Sequence, residues 1–266
     1  MIPKVIHYCW FGRKEHPPEV KKCIESWKKY LPDYEIIEWN EDNYDVDKHP
    51  FMKKAYEAKK WAFVSDYARI DIVNQYGGIY LDTDVEVIKK FDRFLRLNLF
   101  AGFEDEKYVN FGIGFGAEKN HFVLEKILEA YDHVEFPATE IGLGDISCPK
   151  IQTNILKKYG LICNGQTQKF KGYMIFSPEY FCPISYTSGQ LKITDNTVSI
   201  HHFDMSWSAG EVKKIKQLEW KFVSLFGVKW GKPISSLILF PRKIVRHYKD
   251  GDLIHYIKIL IKNRFL

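Results

Sequence analysis

The apolar residues of the first 76 positions follow two alternating periods, which predict the order strand, helix, strand, helix. Residues 2–8 form a short β-branched run, typical of a first strand. In residues 18–31 apolar side chains recur at helical spacing, with lysines on the opposite face, as in an amphipathic helix. Residues 34–39 predict a second strand, and residues 50–76 predict an interrupted helical region that begins at a proline.

Two adjacent glycines, Gly77 and Gly78, follow this helical region and can supply the left-handed backbone that ends a helix. Residues 79–81 then predict a buried strand, and Asp82 and Asp84 follow it. In an extended chain these two side chains lean to the same side. Neighbouring carboxylates repel each other, so the pair needs a proton, a cation or solvent. A hard divalent ion with oxygen ligands is the simplest solution.

The rest of the chain continues the alternation and then changes character. Helices are predicted at 122–131 and 150–159, and strands at 85–88, 99–103, 111–115, 173–176 and 197–202. This order predicts an α/β domain with a mixed, largely parallel sheet and flanking helices over residues 1–210. Residues 211–266 predict helices only, and we expect them to form a separate extension.

Charge distinguishes this extension from the rest of the chain. Residues 211–266 hold thirteen Lys/Arg and four Asp/Glu, a net charge of +9, whereas residues 1–210 carry a net charge of −4. Basic residues mixed with aromatic and aliphatic ones suit an anionic membrane surface. Helices packed on the catalytic domain with a solvated basic face explain the pattern equally well. No recognised motif supports nucleic-acid binding.

The cysteine pattern and the hydropathy indicate a cytoplasmic protein. The five cysteines include no C-x-x-C pair, which argues against a disulfide framework or a zinc site. No signal peptide is recognisable, and no apolar run reaches the roughly 18 to 20 residues that span a bilayer. We therefore expect a cytoplasmic protein, either soluble or peripheral at the inner membrane face.

An Asp-x-Asp pair is a weak signal by itself, but four segments together resemble glycosyltransferase family 32. These are residues 2–12, 65–69 and 76–84, followed by His201-His202-Phe203 with Ser206-Trp207. The family includes bacterial capsule and O-antigen enzymes and yeast-type mannosyltransferases, and the large clostridial glucosylating toxins are more distantly similar. The resemblance covers about residues 1–210. It implies a GT-A fold, a nucleotide-sugar donor, a divalent metal (Mn²⁺ or Mg²⁺) and retention of anomeric configuration.

The resemblance also implies roles for individual residues. Asp84 would bind the metal directly, and Asp82 would contact the donor's ribose or sugar while supporting the metal. His201 or His202 would complete the metal site, with His201 favoured. Asp82, Asp84 and Arg69 are the expected catalytic residues. The expected donor-binding residues are Trp10, which would stack on the base, Ser65, Asp66, Arg69, Tyr80, Asp82, Asn110, Ser206 and Trp207. The expected acceptor contacts are Asp145, Gln152 and Thr153.

Three of these assignments also have a purely structural interpretation. Trp10 could be a core tryptophan at the end of the first strand. Asp66 and Arg69 could form an ordinary surface ion pair on one helix face. The paired histidines could be structural residues.

The resemblance predicts a retaining hexosyltransferase. We expect it to transfer a hexose, from a UDP-hexose first and from GDP-mannose next, to a glycan or lipid-linked oligosaccharide in bacterial capsule or other surface polysaccharide synthesis. Two alternatives remain open at this point. One is a haloacid-dehalogenase-type phosphohydrolase with Asp82 as the nucleophile. The other is a non-catalytic protein that binds a nucleotide sugar.

Overall fold

A computed structural model describes residues 1–137, 143–204, 210–249, 253–254 and 256–258. The strands are β1 (Val5–Cys9), β2 (Glu35–Trp39), β3 (Gly78–Tyr80), β4 (Val85–Val87), β5 (Leu99–Phe103), β6 (Val109–Asn110), β7 (Phe115–Ala117), β8 (Gln168–Phe170), β9 (Tyr173–Phe176) and β10 (Ser199–His201). The helices are α1 (Pro18–Tyr30), α2 (Pro50–Glu57), α3 (Trp61–Tyr76), α4 (Phe122–Tyr131), α5 (Cys148–Lys158) and α6 (Gly210–Lys249).

The main sheet is mixed and has the order β2-β1-β3-β7-β5-β9-β8, with β6 paired to β5. Strands β2, β1 and β3 are parallel to one another, and so are β5 and β9. Strand β7 is antiparallel to both β3 and β5, so β3 and β5 point the same way. The mixed sheet with helices on the same chain confirms the predicted α/β class. Its consequence for function is that β1, β3 and β5 all end at one edge of the sheet.

A separate two-stranded sheet brings a late segment of the chain to this edge. Strand β10 pairs antiparallel with β4, in a register that sets His201 opposite Val85. The backbone N–H of His202 donates to the carbonyl of Asp84 (3.0 Å), which extends the pairing by one residue. The two strands therefore fix the histidines next to the Asp82-Thr83-Asp84 segment.

A buried tryptophan of helix α1 contacts this second sheet. The amphipathic pattern predicted the helix, and its buried positions include Trp27, which is fully enclosed. The indole N–H of Trp27 donates to the carbonyl of Val85 (2.7 Å). A buried indole needs such a partner, and here the bond anchors the strand that follows Asp84.

The helix that precedes the Asp-x-Asp stretch ends as the sequence predicted. Gly77 has φ 67° and Gly78 has φ 108°, and the N–H of Gly77 closes α3 on the carbonyl of Val73 (2.8 Å). A side chain at Gly78 would also meet the ring of His7, because its Cβ would lie 2.9 Å from Nε2. Both glycines are therefore required where α3 turns into β3.

The predicted strand at 111–115 is wrong except for its last residue, Phe115, which begins β7. Residues 111–114 instead join β6 to β7 through a turn, in which Gly114 has φ 130° and the carbonyl of Gly112 accepts from the N–H of Asp82 (3.0 Å). The apolar alternation reflects burial of the phenylalanines, while the glycines allow the backbone to leave the sheet. This departure matters because it brings Gly112 to the Asp82 carboxylate.

The chain divides into two compact units. The first consists of residues 1–136, 146–184 and 191–203, and holds both sheets. The second consists of residues 137–145, 185–190 and 204–266, and its main element is α6, which is interrupted at Gly227 (φ 70°). Among the described residues, no helix has both the length and the apolar character needed to cross a bilayer.

Candidate active site

Two carboxylates and an imidazole converge at the edge where β3 ends. Asp82 and Asp84 lie in the turn between β3 and β4, closed by a bond from the N–H of Val85 to the carbonyl of Asp82 (3.0 Å). One ligand atom from each of Asp82, Asp84 and His201 can be chosen so that all three lie within 4.8 Å of one another. The sequence predicted that the two carboxylates share one side, and β10 adds the histidine.

Arg69 joins this cluster to α3. Its Nη2 lies 2.9 Å from Oδ1 of Asp66 and 3.2 Å from Oδ1 of Asp82, and its Nη1 donates to Oδ2 of Asp82 (3.2 Å). Its Nε donates to the carbonyl of Ser65 (3.0 Å). Asp66 and Arg69 are both buried, so they do not form the surface ion pair that was the structural alternative. The guanidinium instead fixes the orientation of the Asp82 carboxylate from both of its oxygens.

The electrostatics of this group follow from burial and close charges. Burial raises the pKa of Asp66, and Arg69 acts in the opposite direction. Burial also raises the pKa of Asp82 to about 6, with Arg69 lowering it and Asp84 raising it. Burial acts to lower the pKa of Arg69, but Asp82 and its other neighbours outweigh this and raise it well above its usual value. Arg69 is thus a permanent cation between two carboxylates.

Tyr80 and Gly112 enclose the Asp82 carboxylate from two further sides. The Tyr80 hydroxyl donates to Oδ1 of Asp82 (3.1 Å), and the Arg69 guanidinium lies 5.1 Å from the centre of the Tyr80 ring. A Cβ at position 112 would lie only 2.1 Å from Oδ2 of Asp82 and 2.4 Å from Nη1 of Arg69. The site therefore needs glycine at 112.

The two histidines face different partners. Nε2 of His201 lies 3.3 Å from Oδ1 of Asp84, and its Nδ1 is buried with no hydrogen-bond partner among the described residues. Nε2 of the exposed His202 lies 2.9 Å from Oε2 of Glu86. Consecutive residues of a strand point to opposite faces, so only one ring can join the cluster. The structure places His201 there, and the inclusion of His202 as a metal ligand is corrected.

The donor set fits a divalent ion. Carboxylate oxygens suit Mg²⁺ and Mn²⁺, and an imidazole is a common additional ligand for first-row metals. Burial acts to lower the pKa of His201, but the Asp84 carboxylate outweighs it and raises that pKa well above the usual value. A buried imidazole beside a carboxylate attracts positive charge, which a proton or a metal ion can supply. Arg69 already contacts both oxygens of Asp82. The better placed metal ligands are therefore Asp84 and His201.

Glu104 belongs to the same neighbourhood, although sequence analysis missed it. Glu104 is the first residue after β5, and Asp82 is the second residue after β3, so both follow the carboxyl end of a strand. Oε2 of Glu104 accepts a hydrogen bond from Nδ2 of Asn110 (2.5 Å). Oδ1 of Asn110 in turn accepts from the N–H of Gly112 (2.7 Å). Burial raises the pKa of Glu104, the charge of His201 lowers it, and Asp84 contributes further upward. A carboxylate at the carboxyl end of a predicted strand was the signal that could have identified it.

Trp10 lies beyond the end of β1, at the same edge of the sheet. It is half-buried, its indole N–H donates to the carbonyl of Lys14 (2.5 Å), and its ring meets His16 edge-on at 4.9 Å. The fully enclosed core tryptophan of this region is Trp27 instead. Ser65 uses its hydroxyl within α3, where it donates to the carbonyl of Trp61 (3.1 Å).

Two of the expected acceptor contacts have structural partners. Oε1 of Gln152 accepts from the N–H of Phe111 (3.0 Å), and the Thr153 hydroxyl accepts from the N–H of Val109 (2.9 Å). Both side chains are buried and tie α5 to the β6 segment, and their assignment to the acceptor stays a prediction. Asp145 lies in the second unit, and Ser206 and Trp207 lie outside the described residues.

Comparison with known proteins shows what this site is similar to. Residues 17–101 match the family described as "Glycosyltransferase sugar-binding region containing DXD motif". The match covers α1 to α3, the Asp82-Thr83-Asp84 segment and part of β5. The chain resembles glycosyltransferases.

Individual relatives agree with this family match. An uncharacterized glycosyltransferase of Acanthamoeba polyphaga mimivirus is 30% identical over 142 residues, which are 48% of this chain and 55% of that protein. The mannosyl phosphorylinositol ceramide synthase SUR1 of Saccharomyces cerevisiae is 26% identical over 82% of this chain and 55% of its own length. The matched region thus spans about half the length of these two relatives.

A solved structure named PaToxG glycosyltransferase superposes with a TM-score of 0.47 at 18% identity, over 60% of this chain and 69% of that one. The two relatives above are viral and yeast proteins, whereas the sequence motifs also resemble bacterial capsule enzymes.

Proposed function

We propose that the protein is a metal-dependent retaining glycosyltransferase that transfers a hexose from a nucleotide-sugar donor to a glycan acceptor. The observation that carries this proposal is the convergence of Asp82, Asp84 and His201 beside the buried Arg69. One carboxylate is held by a guanidinium, and the other faces an imidazole. Asp82 is thus positioned to contact a sugar, and Asp84 is positioned to bind a cation.

The proposed roles follow the contacts. Asp84 and His201 hold the divalent ion, which when bound supplies positive charge to the diphosphate leaving group. Arg69 keeps the Asp82 carboxylate ionised and oriented, so that Asp82 can accept hydrogen bonds from donor hydroxyls. Asp66, fixed by the same guanidinium, contributes a second acceptor for the sugar. The mutual contacts of these carboxylates and Arg69 hold the polar groups in position beforehand, which avoids reorganisation during the reaction.

Trp10 extends the proposed donor site along the sheet edge. Its half-buried ring offers an aromatic face for a nucleotide base, and it follows β1, the strand that pairs in parallel with β3. Nucleotides commonly bind outside the carboxyl ends of strands in open α/β sheets. Ser206 and Trp207 remain assigned to the donor by the sequence resemblance alone.

The phosphohydrolase alternative gains no support from the geometry. As a nucleophile, Asp82 would have to attack through an oxygen whose charge is already neutralised by Arg69, and the Tyr80 hydroxyl donates to one of its oxygens as well. Accepting a further hydrogen bond from a sugar hydroxyl needs only a remaining lone pair. The backbone of Gly112 also lies directly against the Asp82 carboxylate and limits the space on that side.

Two proposals concern the substrates. The sequence resemblance favours a UDP-hexose donor, with GDP-mannose next. The relative named a mannosyl phosphorylinositol ceramide synthase supports including mannose and a lipid-borne acceptor among the candidates. We propose a lipid-linked glycan of a bacterial surface polysaccharide as the acceptor, reached by a cytoplasmic enzyme at the inner membrane face.

A donor panel tests the proposal. UDP-glucose, UDP-galactose and GDP-mannose are each added with Mn²⁺, with Mg²⁺ or with EDTA, and both Tm and slow donor hydrolysis are measured. Binding at one hundred times Kd stabilises the native state by about 2.7 kcal/mol, so a true donor should raise Tm only with metal. NMR of the released sugar reports retention or inversion.

The matched variants are Asp84→Asn and His202→Ala. We expect Asp84→Asn to lose metal-dependent hydrolysis and His202→Ala to keep it. Full activity of Asp84→Asn with the true donor would refute the metal assignment. Phosphate release from p-nitrophenyl phosphate would favour the phosphohydrolase. Metal-dependent binding without turnover in any acceptor screen would indicate a non-catalytic protein.

A further inference from the structure

Exposed apolar side chains are concentrated in α6 and the residues just after it. Among the described residues, nineteen large hydrophobic side chains are exposed, and eleven of them lie between positions 225 and 257. Soluble surfaces expose single apolar residues routinely, but a contiguous group indicates an interaction site.

Helix α6 is a hairpin, which we call the C-terminal hairpin (residues 210–249). Gly227 breaks the helix with φ 70° and ψ 167°, and the following segment folds back along the preceding one. A Cβ at Gly231 would lie 2.5 Å from the carbonyl oxygen of Phe222, and Nζ of Lys243 lies 2.6 Å from Oε1 of Glu219. The two arms are therefore in direct contact.

The hairpin has an interior of its own. Ile215 and Val223 of the first arm and Leu239 of the second are buried. The exposed apolar residues are thus a second set, on the outside. In the second arm they are residues 237, 238, 240, 245 and 248, whose spacing places them on one side of the helix.

The turn between the arms is the most apolar part of this outer surface. We call residues 225–230 the hairpin tip. Its exposed fractions are 75% for Leu225, 49% for Phe226, 49% for Val228 and 64% for Trp230. The ammonium of Lys229 lies 5.8 Å from the centre of the Trp230 ring. Tryptophan beside lysine is a typical combination at a membrane interface, where the ring enters the headgroup layer and the cation stays near phosphates.

The charge of the hairpin is complementary to an anionic surface. Residues 210–249 contain ten Lys/Arg and two Asp/Glu. A cavity of about 630 Å³ in the second unit is lined by Lys214, Lys221 and Arg242, and also by Ser188, Gln217 and Ser224, with no acidic residue among its described lining. Lys221 is one turn before the tip, so apolar and cationic groups are adjacent. A protein partner with an acidic surface would not explain the exposed apolar tip.

We propose that the C-terminal hairpin docks the protein on an anionic lipid bilayer. The tip inserts among the headgroups, the apolar face of the second arm lies in the interface plane, and the basic residues contact lipid phosphates. The hairpin lies on the bilayer rather than across it, which agrees with its mixed apolar and charged composition. This proposal does not rest on sugar transfer, because vesicle binding is measured without donor or acceptor.

The test is co-sedimentation of the full chain with phosphatidylcholine vesicles that contain phosphatidylglycerol, compared with vesicles of phosphatidylcholine alone. We expect binding to the anionic vesicles, weakening as salt is raised. The double variant Leu225→Glu/Trp230→Glu should lower the partition coefficient by on the order of tenfold or more, because two apolar insertions are lost. The matched control is Ile162→Glu in the first unit, which changes a side chain that is 65% exposed and should leave binding unchanged.

Two further measurements keep the result interpretable. Circular dichroism and Tm establish that each variant is folded. Brominated lipids should quench tryptophan fluorescence of the wild type more than that of Trp230→Phe, which reports insertion of this one ring. Equal partitioning of the tip variant and the wild type would overturn the proposal. The absence of vesicle binding would also overturn the proposal. If light scattering then showed a dimer, a second copy of the chain would be the group that covers this surface.

Discussion

Nε2 of His201 lies 3.3 Å from Oδ1 of Asp84, and the pairing of β10 with β4 holds the two residues together. The neighbouring His202 is held in the same backbone register, but its ring faces Glu86. Two adjacent histidines, one at the end of β10 and one directly after it, therefore provide an internal comparison for the metal site. The two residues share one backbone segment, and they differ in the direction in which their rings point.

We predict that His201→Ala weakens Mn²⁺ binding and that His202→Ala does not. Loss of a metal-ligand partner commonly costs about 10- to 100-fold in affinity, and the loss of a ligand should cost at least as much. Isothermal titration of Mn²⁺ into the two variants measures this directly. Equal affinities for both variants would mean that neither ring is a ligand, or that both contribute equally.

Arg69 is predicted to be essential for stability, because it is the cation between two carboxylates. Arg69→Ala leaves the buried Asp66 and the half-buried Asp82 without their cation, and breaking a buried pair such as Asp66–Arg69 costs about 3–5 kcal/mol. Urea unfolding measures the loss. The double variant Arg69→Ala/Asp66→Asn removes one of the uncompensated charges and should recover part of the stability. If the effects of the two substitutions were simply additive, the two residues would not interact.

Gly112→Ala is predicted to disturb the site locally. The added methyl would lie 2.1 Å from Oδ2 of Asp82, so the carboxylate or the backbone must shift. Overpacking of this kind typically costs about 1–3 kcal/mol, and here it should also lower the affinity for the donor. Gly144→Ala is the control, because a Cβ there has no atom within 4 Å. Thermal unfolding and donor binding are measured for both, and a Gly112→Ala protein that matched the control in both would contradict the close packing.

Much of the first unit could be predicted because its helices and strands are specified by local sequence patterns. The helical spacing of apolar residues predicted α1, a proline marked the start of α2, and the glycine pair marked the end of α3. The predicted bounds 122–131 and 173–176 coincide with α4 and β9. Local propensity and burial agreed at these elements, and in such cases sequence patterns are informative.

The remaining features depend on distant partners. Residues 111–115 show the alternation of a strand, but Gly112 instead approaches Asp82, which a local pattern cannot report. The sequence also could not show that α5 places the amide oxygen of Gln152 on the Phe111 N–H. Glu104 was missed because its importance comes from His201 and Asn110, which are brought to it by the fold.

We predict that the stability of the protein depends on pH through His7, whose ring contacts Gly77, the residue that ends α3. The Trp39 indole can only donate, so Nδ1 of His7 accepts from it (3.1 Å), and Nε2 carries the proton that His7 donates to the Gly77 carbonyl (2.8 Å). Burial lowers the pKa of His7 below its usual 6.5, partly opposed by the Gly77 carbonyl. A second proton on the ring would point Nδ1–H at the indole N–H.

The direction of the effect follows from this lowered pKa. The folded state binds the second proton less readily than the unfolded state, so the contribution is complete above about pH 6.5 and is lost as pH falls through the folded pKa. One such group changes the free energy of unfolding by at most about 1.4 kcal/mol per pH unit. We expect urea unfolding of His7→Gln to depend less steeply on pH below 6.5 than that of the wild type. His133→Gln, at an exposed position, should retain the wild-type slope, and an unchanged slope in His7→Gln would exclude this histidine as the source.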